Sequence, residues 1–292
     1  MFDQIHGLSC VENQLLAILK ERGNDISPLY YNSAIPLKEL FFFFVIKGDS
    51  PYRFYRIPRI QDELKDLGLI DMRLKRPKTI RTVREQIRRC KENEYVLLRV
   101  TTIFTKTVLH ARGLRDDHYV RAVPDGNDFI LYNDIPDVSV RLSARELGKS
   151  YAGEYLLIKV RGSIDQRISE LLWNRRIFKA EKHVPFYFRE GDFEAAPNST
   201  LGLRNMIGVY KTMRRRLALY YGLWVNTQFI QNSIPAIDQC YAMAEYYNLR
   251  KTATDQKLFE LLYQLNTKEV VMMDTLKQKM EELLCETGSI IF

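Results

Sequence analysis

Cys10 stands at the head of a run, Val11-Glu12-Asn13-Gln14-Leu15-Leu16-Ala17-Ile18-Leu19-Lys20, in which Val11, Leu15, Ile18 and Leu19 recur at helical spacing. Ser9 is a favoured N-cap and Gly23 a favoured terminator, so the spacing predicts a helix over residues 10–22 with the Cys10 sulfur in its first turn. Free backbone N–H groups and the positive end of the helix dipole lie there, and both favour thiolate over thiol. Thiolate is the reactive form, so the placement suits a nucleophile. The alternative is a cysteine packed as a small buried hydrophobe.

A cysteine nucleophile needs a base, a group that orients the base, and donors for a developing oxyanion. His118 opens an alternating stretch, His118 to Val123, that reads as a strand. Pro124-Asp125-Gly126-Asn127 is a turn signal, and Asp128 to Tyr132 returns as the partner strand. An antiparallel hairpin sets the start of its first strand beside the end of its second, which brings Asp134 within reach of His118. A carboxylate beside an imidazole fixes the tautomer and stabilises the imidazolium. His6 is a second candidate base, four residues before Cys10. His110, Asp116 and Asp117 read as exposed or structural. Gln4 lies six residues before Cys10 and completes the set of candidates.

The pattern Gln4…Cys10, His118-Tyr119-Val120 and Asn133-Asp134-Ile135-Pro136 resembles the papain-like cysteine enzymes, and among them the leader peptidases of bacteriocin transporters. It departs from them at Val11, where a glycine is usual, and at Ile135, which separates Asp134 from Pro136. The layout of the whole chain is closer to the family of the butirosin biosynthesis protein H. These resemblances imply an α+β, papain-like fold with an antiparallel sheet, followed by an all-helical region. They further imply acyl transfer through an acyl-Cys10 intermediate. The donor would be a thioester on the phosphopantetheine arm of an acidic acyl or peptidyl carrier protein. The acceptor would be a small amine, the product an amide of natural-product biosynthesis, and no cofactor would be bound. By the same resemblance Cys10 is the nucleophile, His118 the base and Asp134 its orienter. Asn133 is the alternative orienter, because papain-like enzymes use either residue type. Gln4 and the Cys10 N–H would bind the oxyanion. A cysteine peptidase or amidase is the alternative enzyme, and a non-catalytic basic interaction protein the alternative outside enzymes.

The elements that must position these residues fall into two regions. Predicted strands at 69–74, 94–101, 118–123, 128–132 and 151–160 alternate with helices at 58–67, 79–92 and 142–148. From Ile164 onward the pattern is helical almost throughout, with long helices at 200–223, 234–248 and 254–286. The expected domains are therefore 1–163, catalytic, and 164–292, helical. The run Leu40-Phe41-Phe42-Phe43-Phe44-Val45-Ile46 is a buried strand or a buried helix, and periodicity leaves both open.

The 292 residues carry a net charge of +8, which suits an acidic partner. Basic residues gather at Arg73 to Lys78, Arg81 to Lys91 and Lys211 to Arg216, and Arg73 to Arg89 or the Arg214-Arg215-Arg216 run is the candidate docking surface for a carrier. No zinc-finger or RNP motif is present, so nucleic acid is disfavoured. The four cysteines and four histidines show no metal-ligand spacing. No apolar stretch is long enough to span a bilayer and the N-terminus lacks a signal-peptide pattern, so a cytoplasmic protein is expected. Two uses are open to the long C-terminal helices: pairing between two copies in a homodimer, or covering the first domain.

Overall fold

The computed structural model describes residues 5–51, 59–110, 118–175, 199–250 and 256–287. The chain forms two compact units, one of Met1–Ile26 with Pro58–Asp165, the other of Ser27–Ile57 with Gln166–Phe292. Among the described residues no helix is long and apolar enough to cross a membrane.

The first unit is built on a six-stranded antiparallel sheet. Its strands are β1 (Ile70–Lys75), β2 (Glu94–Val100), β3 (His118–Asp125), β4 (Asp128–Asn133), β5 (Val138–Leu142) and β6 (Tyr151–Val160). Their order across the sheet is β1-β6-β2-β3-β4-β5. The expected hairpin is present, with Arg121 opposite Tyr132 and Asp125 opposite Asp128. Val96, Leu98, Val100, Val120, Ala122, Phe129 and Leu131 build one core cluster with Val83, Ile87 and Leu147. The last three belong to α4 (Ile80–Arg89) and α6 (Ala144–Ser150). Helix α4 is basic on its outer side, and only Val83 and Ile87 are buried.

Helix α1 (Cys10–Glu21) differs from α4 in kind. Every residue from Glu12 to Leu19 is buried, so it is a central helix rather than an amphipathic cover. Ser9 caps it as expected, its hydroxyl accepting from the Glu12 N–H at 3.2 Å. Strand β5 and the short helix α5 (Thr102–Thr107) escape the sequence reading. Strand β5 is an edge strand whose side chains are mostly half-buried or exposed, so its hydrophobic alternation is weak. Helix α5 is one and a half turns nucleated by the Thr101 hydroxyl on the Phe104 N–H.

The second unit begins with a 3-10 turn at Ser27–Tyr30 and α2 (Leu37–Phe41), and α2 runs into a π-helical turn at Phe42–Ile46. The remaining helices are α3 (Ile60–Asp66), which belongs to the first unit, and then α7 (Gln166–Arg175), α8 (Ser199–Tyr221), α9 (Gln228–Gln231), α10 (Ile234–Arg250) and α11 (Gln256–Thr287). The phenylalanine run is thus helical. It lies against α8 so closely that a Cβ on Gly202 would sit 2.4 Å from the Phe44 carbonyl oxygen. Residues 27–57, expected in the first domain, pack with the C-terminal helices. Leu40, Phe41, Phe44 and Val45 are buried there, and Arg214 of α8 donates to the carbonyls of Ser33 and Ile35.

Arg214 and Arg216 are fully buried, which corrects their reading as a docking surface. Arg214 pairs with Glu269 of α11, and its guanidinium lies over the Tyr210 ring at 4.5 Å. Arg216 lies over the Tyr30 ring at 5.2 Å. A guanidinium desolvated in this way must be met by a carboxylate, carbonyls and aromatic faces, so these cations are spent inside the unit.

Removing one partner of this pair leaves the other charged and buried. Arg214→Ala or Glu269→Ala is expected to cost about 3–5 kcal/mol, while Arg214→Met combined with Glu269→Leu costs much less. Urea unfolding followed by the fluorescence of Trp173 and Trp224, both in this unit, measures it.

Candidate functional site

The first turns of α1 are polar yet buried, and each side chain there is used. Glu12 Oε2 accepts from the Leu8 N–H at 2.6 Å and Oε1 from the Ile60 N–H at 3.1 Å. These bonds tie the loop before Cys10 and the start of α3 to the helix. Asn13 Oδ1 accepts from the Gly7 N–H at 2.8 Å while its Nδ2 donates to Asp134 Oδ2 at 2.8 Å. Gln14 Nε2 donates to the Tyr132 carbonyl at 2.9 Å. At the other end Glu21 meets Arg121 of β3 in a bidentate pair at 2.5 and 2.9 Å. Helix α1 is therefore bolted at both ends to the β3–β4 hairpin.

The consequence is a meeting of Cys10 with the start of β3. The sulfur accepts from the Tyr119 amide at 3.4 Å. An amide nitrogen is about 2.4 Å from the preceding Cα, so the sulfur lies within about 6 Å of the His118 Cα. His118 is buried, and its Nε2 is 2.5 Å from Asn133 Oδ1. Asn133 Nδ2 is itself fixed on the Pro136 carbonyl at 2.7 Å. Asp134 Oδ1 stands farther off, 3.9 Å from Nε2. Of the two candidate orienters, Asn133 holds the ring by hydrogen bond and Asp134 is its charged neighbour. The strand pleat decides this. Asn133 is the last residue of β4, whereas Asp134 has left the strand and is claimed by Asn13. The ring's other nitrogen, Nδ1, has no hydrogen-bond partner among the described residues.

The sequence places Cys10 where thiolate is favoured. The N–H groups of Tyr119, Val11 and Cys10 do pull its pKa down. Burial is the larger effect and pushes the thiol up to about 12, with the Asp134 charge pushing the same way. The resting sulfur is a thiol, because desolvating a charge outweighs a few oriented amides.

Gln4, Asp116 and Asp117 lie outside the described residues. His6 is half-buried in the loop before α1, and His110 is exposed, with φ of +52°. Glu12 and Asn13 were not anticipated. The available signal was three consecutive polar residues inside an apolar helix, which on a fully buried helix must find partners. Among the described residues no cluster of His, Cys, Asp and Glu is arranged to hold a metal ion. The exposed members of the Arg73–Lys91 group are Arg73, Lys75, Arg76, Lys78, Arg81, Arg88, Arg89 and Lys91. Arg76 is engaged with Glu154 at 2.9 Å, Arg81 with Glu85 at 3.0 Å and Arg88 with the Asn127 carbonyl at 3.1 Å.

Compared with models of known protein families this chain matches none, and it matches no curated protein.

Two outcomes are expected. Alkylation of Cys10 by iodoacetamide, followed on its own peptide by mass spectrometry, rises about tenfold per pH unit from pH 7 to 10, as a buried thiol requires. A flat rate between pH 5 and 8 would instead indicate a resting thiolate. Gly7→Ala places a Cβ 2.5 Å from Asn13 Oδ1 and 2.8 Å from Asn13 N. It is expected to destabilise the fold by about 1–3 kcal/mol in urea unfolding.

Proposed function

We propose that this protein is a cysteine-dependent acyltransferase of papain-like build, taking an acyl group from a carrier-protein thioester to an amine. The observation that supports it most is the hydrogen bond between Cys10 Sγ and the Tyr119 amide. It sets a sulfur at a helix start against the residue that follows a buried, oriented histidine.

In this reading His118 Nδ1 takes the Cys10 proton as the sulfur attacks the thioester carbonyl. The carbon–sulfur bond to the carrier arm breaks and the arm leaves as a thiol, taking the proton back from His118. The amine then attacks acyl-Cys10, His118 accepts its proton, the amide C–N bond forms and Cys10 is released and reprotonated. Asn133 holds the ring by Nε2 throughout. The Cys10 N–H at the start of α1, with Gln4 by family resemblance, would receive the oxyanion.

Exchange of one thioester for another is nearly balanced in energy and expels a good leaving group. Amide cleavage must expel an amine and is better served by a preformed thiolate–imidazolium pair. A peptidase or amidase on the same residues is the second reading. The exposed Arg73, Lys75, Lys78, Arg89 and Lys91 provide a basic surface for an acidic carrier domain. Four free cysteines suit the reducing cytoplasm.

Incubation with an acylated carrier protein is expected to add one acyl mass to the intact chain. The adduct should be lost in Cys10→Ala, reduced at least 100-fold in rate in His118→Ala, and discharged by an added primary amine. An adduct that persists in Cys10→Ala overturns the mechanism. Release of free acid or cleaved peptide without an amine assigns the second reading.

A further inference from the structure

Cys10 stands at one end of a strip of polar side chains that crosses the sheet. Helix α1 packs on the face that carries Tyr95 and Arg121, because Arg22 donates to the Tyr95 hydroxyl at 3.4 Å and Glu21 pairs with Arg121. Side chains alternate along a strand, so Arg99 of β2 and Tyr119 of β3 share that face, and the two are opposite each other in register. Glu154 of β6 joins them. Its Oε1 accepts from the Tyr119 hydroxyl at 2.7 Å and from Arg99 Nη1 at 3.3 Å. Its Oε2 accepts at 2.9 Å from Nε of Arg76, the residue just past β1. The strip therefore runs Tyr119, Arg99, Glu154, Arg76 over the neighbouring strands β3, β2, β6 and β1, and ends at the edge of the sheet. It begins at the sulfur, which takes the Tyr119 amide.

The strip is charged and set in place. The Tyr119 hydroxyl, Arg76 and Arg99 hold the Glu154 carboxyl below the usual carboxylate range, so it stays ionised. Two guanidiniums against one carboxylate leave the strip positive. Glu154 aligns Arg76, yet 71% of the Arg76 side chain remains in solvent. A guanidinium held in this way is ready to meet a phosphate with parallel N–H···O bonds.

We propose that this strip is the track for the thiol-side arm of the acyl donor, and that Arg76, aligned by Glu154, binds a phosphate at the arm's far end. The proposal deepens the acyltransferase reading above and rests on it. Length supports it. Three strand spacings from β3 to β1 cover about 14 Å. A phosphopantetheine arm has about thirteen bonds from sulfur to phosphorus, and at about 3.5 Å per three bonds it extends to about 15 Å. With its sulfur beside Cys10, the arm sets its phosphate at β1. Leu74, exposed and two residues before Arg76, offers apolar contact to the aliphatic body of the arm. Arg73 and Lys75 are opposite Leu157 and Tyr155, which pack in the core under α4, so these two cations emerge on the other face. Positive charge thus wraps around the β1 edge, where the arm leaves for its carrier.

The test uses the full chain and one acyl group on two thiols, pantetheine and phosphopantetheine, which differ only in the phosphate. Single-turnover acylation of Cys10 below saturation, read by intact mass, is expected to be about tenfold faster from the phosphorylated thiol. Arg76→Ala is expected to bring the ratio of the two rates near one, and Arg76→Lys to restore part of it as a point charge. A side chain that merely supported the fold would slow both donors alike. A wild-type ratio near one, or a ratio that Arg76→Ala leaves intact, overturns the proposal. The same acyl group on a holo carrier protein separates the two sources of the phosphate. A rate lowered by Arg76→Ala assigns the arm to a carrier, and a rate indifferent to it assigns the arm to a free phosphopantetheine thioester. If no donor acylates the wild type, the acyltransferase reading fails, and calorimetric titration with phosphopantetheine and with pantetheine decides the phosphate site. Tighter binding of the former, lost in Arg76→Ala, upholds it, and equal binding overturns it.

Discussion

Burying a helix on every side is the constraint from which the site follows. Helix α1 shows no solvent face between Glu12 and Leu19. Apolar residues satisfy that by packing, but Glu12, Asn13 and Gln14 cannot. Each needs a partner of matching geometry, and the partners are backbone groups of Gly7, Leu8, Ile60 and Tyr132 and the side chain of Asp134. With Glu21–Arg121 at the other end, these bonds leave the helix one axial position and one rotation on the hairpin. The sulfur is located by that fit.

Charge is divided within the site by the same economy of burial. A neutral amide, Asn133, holds the buried ring without adding a charge that would itself need solvation. The carboxylate is displaced to 3.9 Å and tied down by Asn13. At Cys10 the helix dipole and three amides favour ionisation, but they are outweighed by the loss of water and by a like charge. A helix N-terminus is an activating environment only while the sulfur keeps enough access to solvent or meets a cation.

The second unit shows how a cluster of cations can be structural. Arg214 is drawn between carbonyls of the 27–57 segment and Glu269, so one side chain joins three separate parts of the chain within the unit. The count of basic residues in that run therefore overstates the positive surface there, whereas the cations around β1 and α4 remain largely in solvent.

Much of the secondary structure was legible in the residues. The Ser9 cap, the Asp125-Gly126 turn and the alternation around Val96 and Val120 are local signals, and local chemistry enforces them. So was the approach of His118 to Asn133 and Asp134 at the end of β4, because a short hairpin leaves its strand ends nowhere else to go. The choice between Asn133 and Asp134 was not legible, since neighbours in sequence are separated only by where the strand ends and which partner claims each side chain. Nor was the allegiance of residues 27–57. Their apolar run suits any core, and only the close approach of Gly202 and the reach of Arg214 select the helical unit. The sequence by itself determined most of the helices and strands, though not β5, α5 or the helical state of the phenylalanine run, and that a cysteine heads α1. Tertiary structure alone decided that this cysteine is a thiol, because desolvation depends on everything that surrounds the sulfur and not on the turn that carries it.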